Sequence, residues 1–404
     1  MKEKQHMHNN QVFFAAKESG YAMALPFVNG AMIQLFLANR GVTSERIGFL
    51  MSVLHVVNLL ATFFLSDLAE RCQNPLQKSN RILLLHVLTF PAMMLTILIP
   101  GLNTDQLFWM VLAITCGQVI LYACKIIYEY KLAYQIVEIN QYGNMLALSG
   151  VCSGIATFGI GIISAAMIDK TEGSLPYLLI MLITELSFLV AVFGGRKLRP
   201  INEVFSGKAI SDRSWKQVVS VLRSPVFLCF LVPNILRGIT IGGTGCIALV
   251  ALSMGYSESF TATISVVCAV SSVLGSILFG FLGKKYHAQT IGLIGSTLLC
   301  LLIFLPSKNG TAFMVLYTVA YLGRIIVDQS IPVLVFQMID PEIAGIYNAW
   351  RSILFSLSAA GISYLVGILV ERVHPLVLLI PVTLAYLVSM IWYRVFFKKF
   401  AREG

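Results

Sequence analysis

The sequence predicts an all-α polytopic membrane protein, built as two six-helix bundles related by a pseudo-two-fold axis. Three observations predict it. The chain is 57% hydrophobic and only 12% charged, with a mean hydropathy of +0.81, whereas soluble domains carry about 25% charged residues. Its 404 residues divide into apolar runs of about 20 residues with short connections, the length a helix needs to cross a bilayer. One charged motif also occurs twice, as Tyr122-Ala-Cys-Lys125-Ile-Ile-Tyr-Glu129 and, half a chain later, as Tyr321-Leu-Gly-Arg324-Ile-Ile-Val-Asp328.

Taken in order, residues 1–12 read as a floppy polar tail, with His6 and His8 part of it rather than a metal site. Span 1 (13–38) opens with Lys17-Glu18 near a helix end. It carries Pro26 and Asn29-Gly30 near its middle, where packed membrane helices tolerate such residues. Span 2 (44–66) follows a tight turn at Gly41 and holds His55, read as a polar packing residue, and Asn58. Span 3 (82–99) stops at Pro100. Span 4 (106–135) contains Lys125 and Glu129 and is lined by Gln118, Tyr122, Tyr128 and Tyr134. Span 5 (142–168) is rich in small residues, among them Gly150, Gly154 and Gly161, which let helices approach closely. Span 6 (175–194) contains Glu185, near a helix end.

The one long polar connection, 196–223, divides an N-terminal bundle (1–195) from a C-terminal bundle (224–404). Within it, Ser214–Leu222 reads as a short amphipathic surface helix. Spans 7 to 12 follow at 224–252, 258–282, 288–305, 312–338, 343–370 and 375–397. The halves match beyond the charged motif. Gly41 through Arg71 aligns without gaps on Gly255 through Lys285, and Pro100-Gly-Leu-Asn103 on Pro306-Ser-Lys-Asn309.

The net charge of +10 is not a nucleic-acid signature, because most Lys and Arg fall in alternate loops, as the positive-inside rule requires. That pattern places both termini and 196–223 in the cytoplasm, with Thr171, Ser257 and Asn309 outside. The eight cysteines are scattered through apolar runs with no metal spacing and read as small buried residues. The first seventeen residues lack the apolar core of a cleavable signal peptide. No P-loop occurs, and the histidines outside the tail are far apart, so ATP drive, a metal site and enzymatic catalysis are not expected. No cofactor is expected either.

The charged pairs are the candidate site. A cation and an anion four residues apart share one helix face. Inside a bilayer each charge costs roughly 2.5–3.5 kcal/mol on insertion scales, so such residues are rare and usually functional. Lys125 and Arg324 are thus candidate substrate contacts or counter-charges, and Glu129 and Asp328 candidate coupling carboxylates. The alternative is that the pairs only join helices. Arg237 sits mid-span with no acid one turn away and awaits an anionic partner, from substrate or from another helix; Asn29 is its repeat counterpart. Gln118 and Tyr122 line the same helix as Lys125. Arg351, nearer the inner end, can snorkel or contact substrate. A repeat on this scale is typical of secondary transporters, whose sites lie near the midplane between repeats.

Twelve spans, a 6+6 repeat and a basic central loop resemble the major facilitator superfamily over essentially the whole chain. Leu65, Ser66, Asp67 and Arg71 hold the places of that family's G-x-L-A-D-R-x-G-R-R motif, although Phe63, Leu68 and Glu70 replace other motif positions. Gly283-Lys284-Lys285 echoes it after span 8 without the acid. In span 5, Gly150 and Gly154 begin the antiporter motif G-x-x-x-G-P-x-x-G-G, but Ile155 stands where its proline belongs. The resemblance implies alternating access by two rocking bundles, with Asp67 and Arg71 in an inner-side gating latch. It does not identify the cargo. A small polar or anionic solute, moved by proton or ion coupling, is expected; an exporter of lipid-like or amphipathic drug-like compounds is the alternative. The expected partners are the bilayer, the solute and the coupling ion, for a monomer in a bacterial inner membrane.

Overall fold

The computed structural model describes residues 2–28, 30–70, 72, 74–99, 101–137, 139–170, 173–201, 219, 223–283, 285–307, 309–338 and 344–400. Among them there are helices joined by short turns and no strand. Among the described residues nine helices are long and apolar enough to cross a membrane, and the bent pair Cys229–Gly245 and Ile247–Ser253 of span 7 makes a tenth. Spans 1 and 9 complete the order without passing that test, for different reasons. Span 1 is broken into Lys2–Ala22, Leu25–Val28 and Ala31–Asn39 and carries charge. Span 9, Ala288–Leu299, finishes in a 3-10 turn at Cys300–Phe304 and is short.

The expected floppy tail is corrected by the structure, which has helix from Lys2 onward. The reason is tertiary. Asn10 is buried and donates to the Ile136 and Arg199 carbonyls, while the Arg199 N–H donates back to Asn10. The first helix is thereby tied to the ends of spans 4 and 6. Lys17 and Glu18, expected near the opening of span 1, lie instead in the C-terminal part of this helix, about one turn before it ends at Ala22.

Packing repeats with the sequence. Span 1 packs on spans 5 and 6, and spans 2 and 3 pack on span 4; six spans later, 7 packs on 11 and 12, and 8 and 9 pack on 10. The bundles meet through spans 5 and 8 and through spans 2 and 11, pairs that the same pseudo-two-fold exchanges. Local chemistry repeats too. Gly41 (φ 77°) and Gly255 (φ 84°) make the left-handed turns before spans 2 and 8, a conformation glycine adopts freely. Thr43 and Ser257 then cap those helices by accepting from the Arg46 and Phe260 N–H groups.

At the end away from the termini the bundles are closed on each other. Asn39 Nδ2 donates to both Glu258 oxygens (3.1 and 3.2 Å) and the Tyr177 hydroxyl donates to Oε2 (2.8 Å). The Ser44 hydroxyl meets Glu371. Positions 44 and 258 are counterparts in the gap-free repeat alignment, so each bundle contributes the same position to the closure. One turn further along spans 2 and 11 from the Ser44–Glu371 contact the backbones touch: a Cβ on Gly48 would lie 2.5 Å from Gly367 Cα.

Candidate functional site

Among the described residues each bundle carries a charge cluster built between its helices. In the N-terminal bundle, Lys17 and Glu18 of span 1 meet Lys125 and Glu129 of span 4. Lys17 Nζ contacts Glu18 Oε1 at 3.0 Å and also Glu129 Oε1, and Lys125 Nζ contacts Glu18 Oε2 at 2.8 Å and Glu129 Oε2 at 2.9 Å. Every cation thus touches both carboxylates, in a closed four-membered ring of alternating charge. Such a ring offsets the desolvation of its members only while all four are present. Gly194 of span 6 makes room for it: a Cβ there would lie 2.8 Å from the Lys17 backbone nitrogen.

The Tyr21 ring lies 4.3 Å from Lys125 Nζ and stacks on Tyr122 at 5.9 Å. Tyr122 therefore stands beside the ring. Gln118 is fully buried and donates to Thr89 of span 3. In this conformation it is a packing contact between spans.

In the C-terminal bundle, Asp328 of span 10 is the shared acceptor. Arg237 Nε of span 7 reaches its Oδ1 at 3.2 Å, the Tyr386 hydroxyl of span 12 donates to the same oxygen at 2.8 Å, and Arg324 Nε faces Oδ2 at 3.5 Å. That last contact is a charge contact rather than a good hydrogen bond. Arg324 Nη1 donates instead to Thr244 of span 7 at 2.8 Å. Arg237 also lies over the Phe355 ring and Arg324 over the Tyr321 ring. The two clusters differ in balance. The first pairs two lysines with two glutamates; the second sets two arginines against one aspartate, leaving one positive charge in excess among the described residues. The side chains of Arg237, Arg324 and Asp328 keep 16–22% exposure.

The structure therefore joins Arg237 to the pair Arg324 and Asp328, supplying from another helix the acid its own helix lacks. It joins Lys125 and Glu129 to two residues that sequence reasoning set aside, Lys17 and Glu18. Their signal in the sequence is an adjacent cation and anion, which the fifteen helical residues ahead of Lys17 carry into the bundle. Asn29 and Arg71 lie outside the described residues, as does Ser214–Leu222 apart from Val219. Asp67 falls on the span 2 helix, but its side chain is outside the description. Among the described residues no group of three His, Cys, Asp or Glu side chains is placed to hold a metal ion. A groove of 640 Å³ between spans 5, 8 and 10, lined by Ile162, Asp169, Phe260 and Met314, shares no residue with either cluster.

The family model described as Major Facilitator Superfamily matches residues 12–363. The chain belongs to the Major Facilitator Superfamily. No curated protein sequence matches it. Solved structures do share its fold. A mutant of the nucleoside transporter NupG superposes with a TM-score of 0.68 at 10% identity, covering 97% of this chain and 100% of that one. A D-xylose-proton symporter gives 0.70 at 11% identity, covering 98% of both chains. A bacterial homologue of the iron transporter ferroportin, in an outward-facing state, gives 0.66 at 14% identity, covering 97% of this chain and 99% of that one. This superfamily chain is a multi-pass membrane protein of a transporter family. Likeness at such identities carries the fold alone and leaves the cargo to the site.

Proposed function

We propose that the protein is a secondary active transporter that moves a small anionic solute by alternating access, and that it is not an enzyme. The observation that carries this reading is the positive charge left in excess among the described residues of the C-terminal cluster, two arginines on one aspartate. A guanidinium stays charged at physiological pH and presents a planar fork suited to carboxylate or phosphate. One aspartate shared by two arginines and a tyrosine leaves that fork a place for a solute anion. Arg237 and Arg324 then bind the solute, with Lys125 and Tyr122 facing it from the N-terminal bundle as the bundles rock.

Glu129 and Asp328 are the coupling carboxylates in this reading. A carboxylate beside a cation keeps its charge until the cation moves away in a drying cavity, and it then gains a proton. The rocking units are 1–195 and 224–404, joined by a cytoplasmic linker at 196–223, with both termini cytoplasmic, in a monomer of a bacterial inner membrane. Closure at the Glu258 end then makes the conformation described here inward-facing, and Asp67 and Arg71 form the latch of the opposite state. Uptake into proteoliposomes, with a solute panel and with or without a pH gradient, tests the proposal. Gradient-driven accumulation of an anion is expected. Preference for cationic or apolar solutes would reject it.

A further inference from the structure

Span 7 is broken beside the C-terminal cluster, and the break is held from two sides. Pro225–Gly245 ends at Cys246, and Ile247–Ser253 continues at 46° to it. An unbroken helix would satisfy the Gly245 carbonyl with the N–H of Leu249, four residues on. Here the Leu249 N–H donates to the Cys246 carbonyl at 3.0 Å. The Gly245 carbonyl accepts instead from Gln34 Nε2 of span 1, at 2.7 Å. Gln34 is fully buried and belongs to the other bundle.

One residue earlier, Thr244 gives its own proton to the Thr240 carbonyl (2.8 Å) and accepts from Arg324 Nη1. Adjacent residues of one broken helix are thus gripped by the charge cluster and by the opposite bundle. The chain of contacts runs Gln34, Gly245, Thr244, Arg324, Asp328.

We propose that Gln34 is a positioning residue for transport, whose bond to Gly245 ties closure of the Glu258 end to the state of the Arg324–Asp328 cluster. The cluster's role as solute site rests on the function proposed above. When the bundles part at this end, Gln34 leaves and the half-buried Gly245 carbonyl loses its partner. The Leu249 N–H is the donor that can replace it, so opening straightens the break. Straightening turns Thr244 relative to Arg324. A solute anion that draws Arg324 off Thr244 removes that grip and makes straightening easier. Solute and gate then bias the same two-position element, which is the physical requirement for coupling between sites.

The test is a double-mutant cycle on the gate, measured without solute. Spin labels at Glu45→Cys and Ser253→Cys, exposed positions on the two bundles at the closed end, report the open-to-closed ratio in nanodiscs by pulsed dipolar spectroscopy, in a cysteine-free background. Gln34→Met keeps the side-chain length and loses the donor, and is expected to raise the ratio about fivefold. Gln34→Ala, the second variant, should do the same. Thr244→Val releases Arg324 and should also raise it. The Gln34→Met/Thr244→Val pair should fall well short of the product of the single effects, because both act on one break. Ser44→Ala, which loosens the Glu371 contact without touching span 7, should multiply with Thr244→Val.

An unchanged ratio in both Gln34 variants overturns the proposal, as does a multiplicative Gln34→Met/Thr244→Val pair at unchanged thermal stability. Because no solute is present, that result would leave the anion reading standing. Loss of the anion reading would in turn leave the cycle intact and remove only the relay's ligand end.

Discussion

Arg237 and Asp328 face each other across 3.2 Å, one on span 7 and the other on span 10. The pair answers where the acid for a lone intramembrane arginine comes from, and it raises a second point. Asp328 is shared with Arg324 and Tyr386, so one carboxylate faces two guanidinium groups. A neutral cluster would need one more anion.

Replacing Arg237 by alanine should therefore weaken anion binding ten- to a hundredfold, the effect of losing one charge-assisted hydrogen bond of about 1.5–3 kcal/mol. Arg237→Lys should recover only part of it, since a point charge does not reproduce a bidentate fork. Equilibrium binding of the transported anion checks both. Unchanged anion binding in Arg237→Ala would mean that Arg237 only neutralises Asp328, and its role as a solute ligand would be rejected.

Asp328→Asn leaves two arginines without their carboxylate. Anion affinity should rise, while accumulation driven by a pH gradient should be lost and counterflow exchange retained. Glu129→Gln should uncouple in the same way if the N-terminal ring carries the proton. Normal accumulation by both variants would show that the pairs serve packing alone.

The N-terminal ring also makes a stability prediction. Lys17 is fully buried between Glu18 and Glu129. Breaking one partner out of a buried ion network costs about 3–5 kcal/mol. Lys17→Met should lower the thermal unfolding midpoint markedly, and adding Glu129→Gln should restore much of it. If the double variant is as unstable as the two single losses combined, the ring is not the interacting unit its geometry describes.

Closure at the Glu258 end rests on few contacts. Glu258→Ala removes the acceptor of Asn39 and Tyr177 together, and Gly48→Val drives a side chain into the Gly367 backbone. Both should raise the population open at that end, Gly48→Val the more strongly because backbone cannot yield as a flexible side chain can. Accessibility of a single engineered thiol beneath the closure measures it. Unchanged accessibility in both would place the gate elsewhere.

What the sequence determined by itself was whatever repeats locally. Apolar run length sets the spans, helix periodicity puts Lys125 with Glu129 and Arg324 with Asp328, and the Gly41 and Gly255 turns recur because the same left-handed step is needed twice. The tertiary structure alone decided the partners between helices. Lys17 completes the N-terminal ring because Gly194 lets span 1 approach span 6. Arg237 reaches Asp328, and Gln34 reaches Gly245, through the depth and rotation at which separate helices pack. An i, i+4 relation is fixed by helix geometry within a single turn, whereas those depths and rotations are set by many small side-chain contacts spread over the whole chain. The same reason explains the misread first helix, whose polar start is held in place by Asn10 and the distant Ile136 and Arg199 carbonyls.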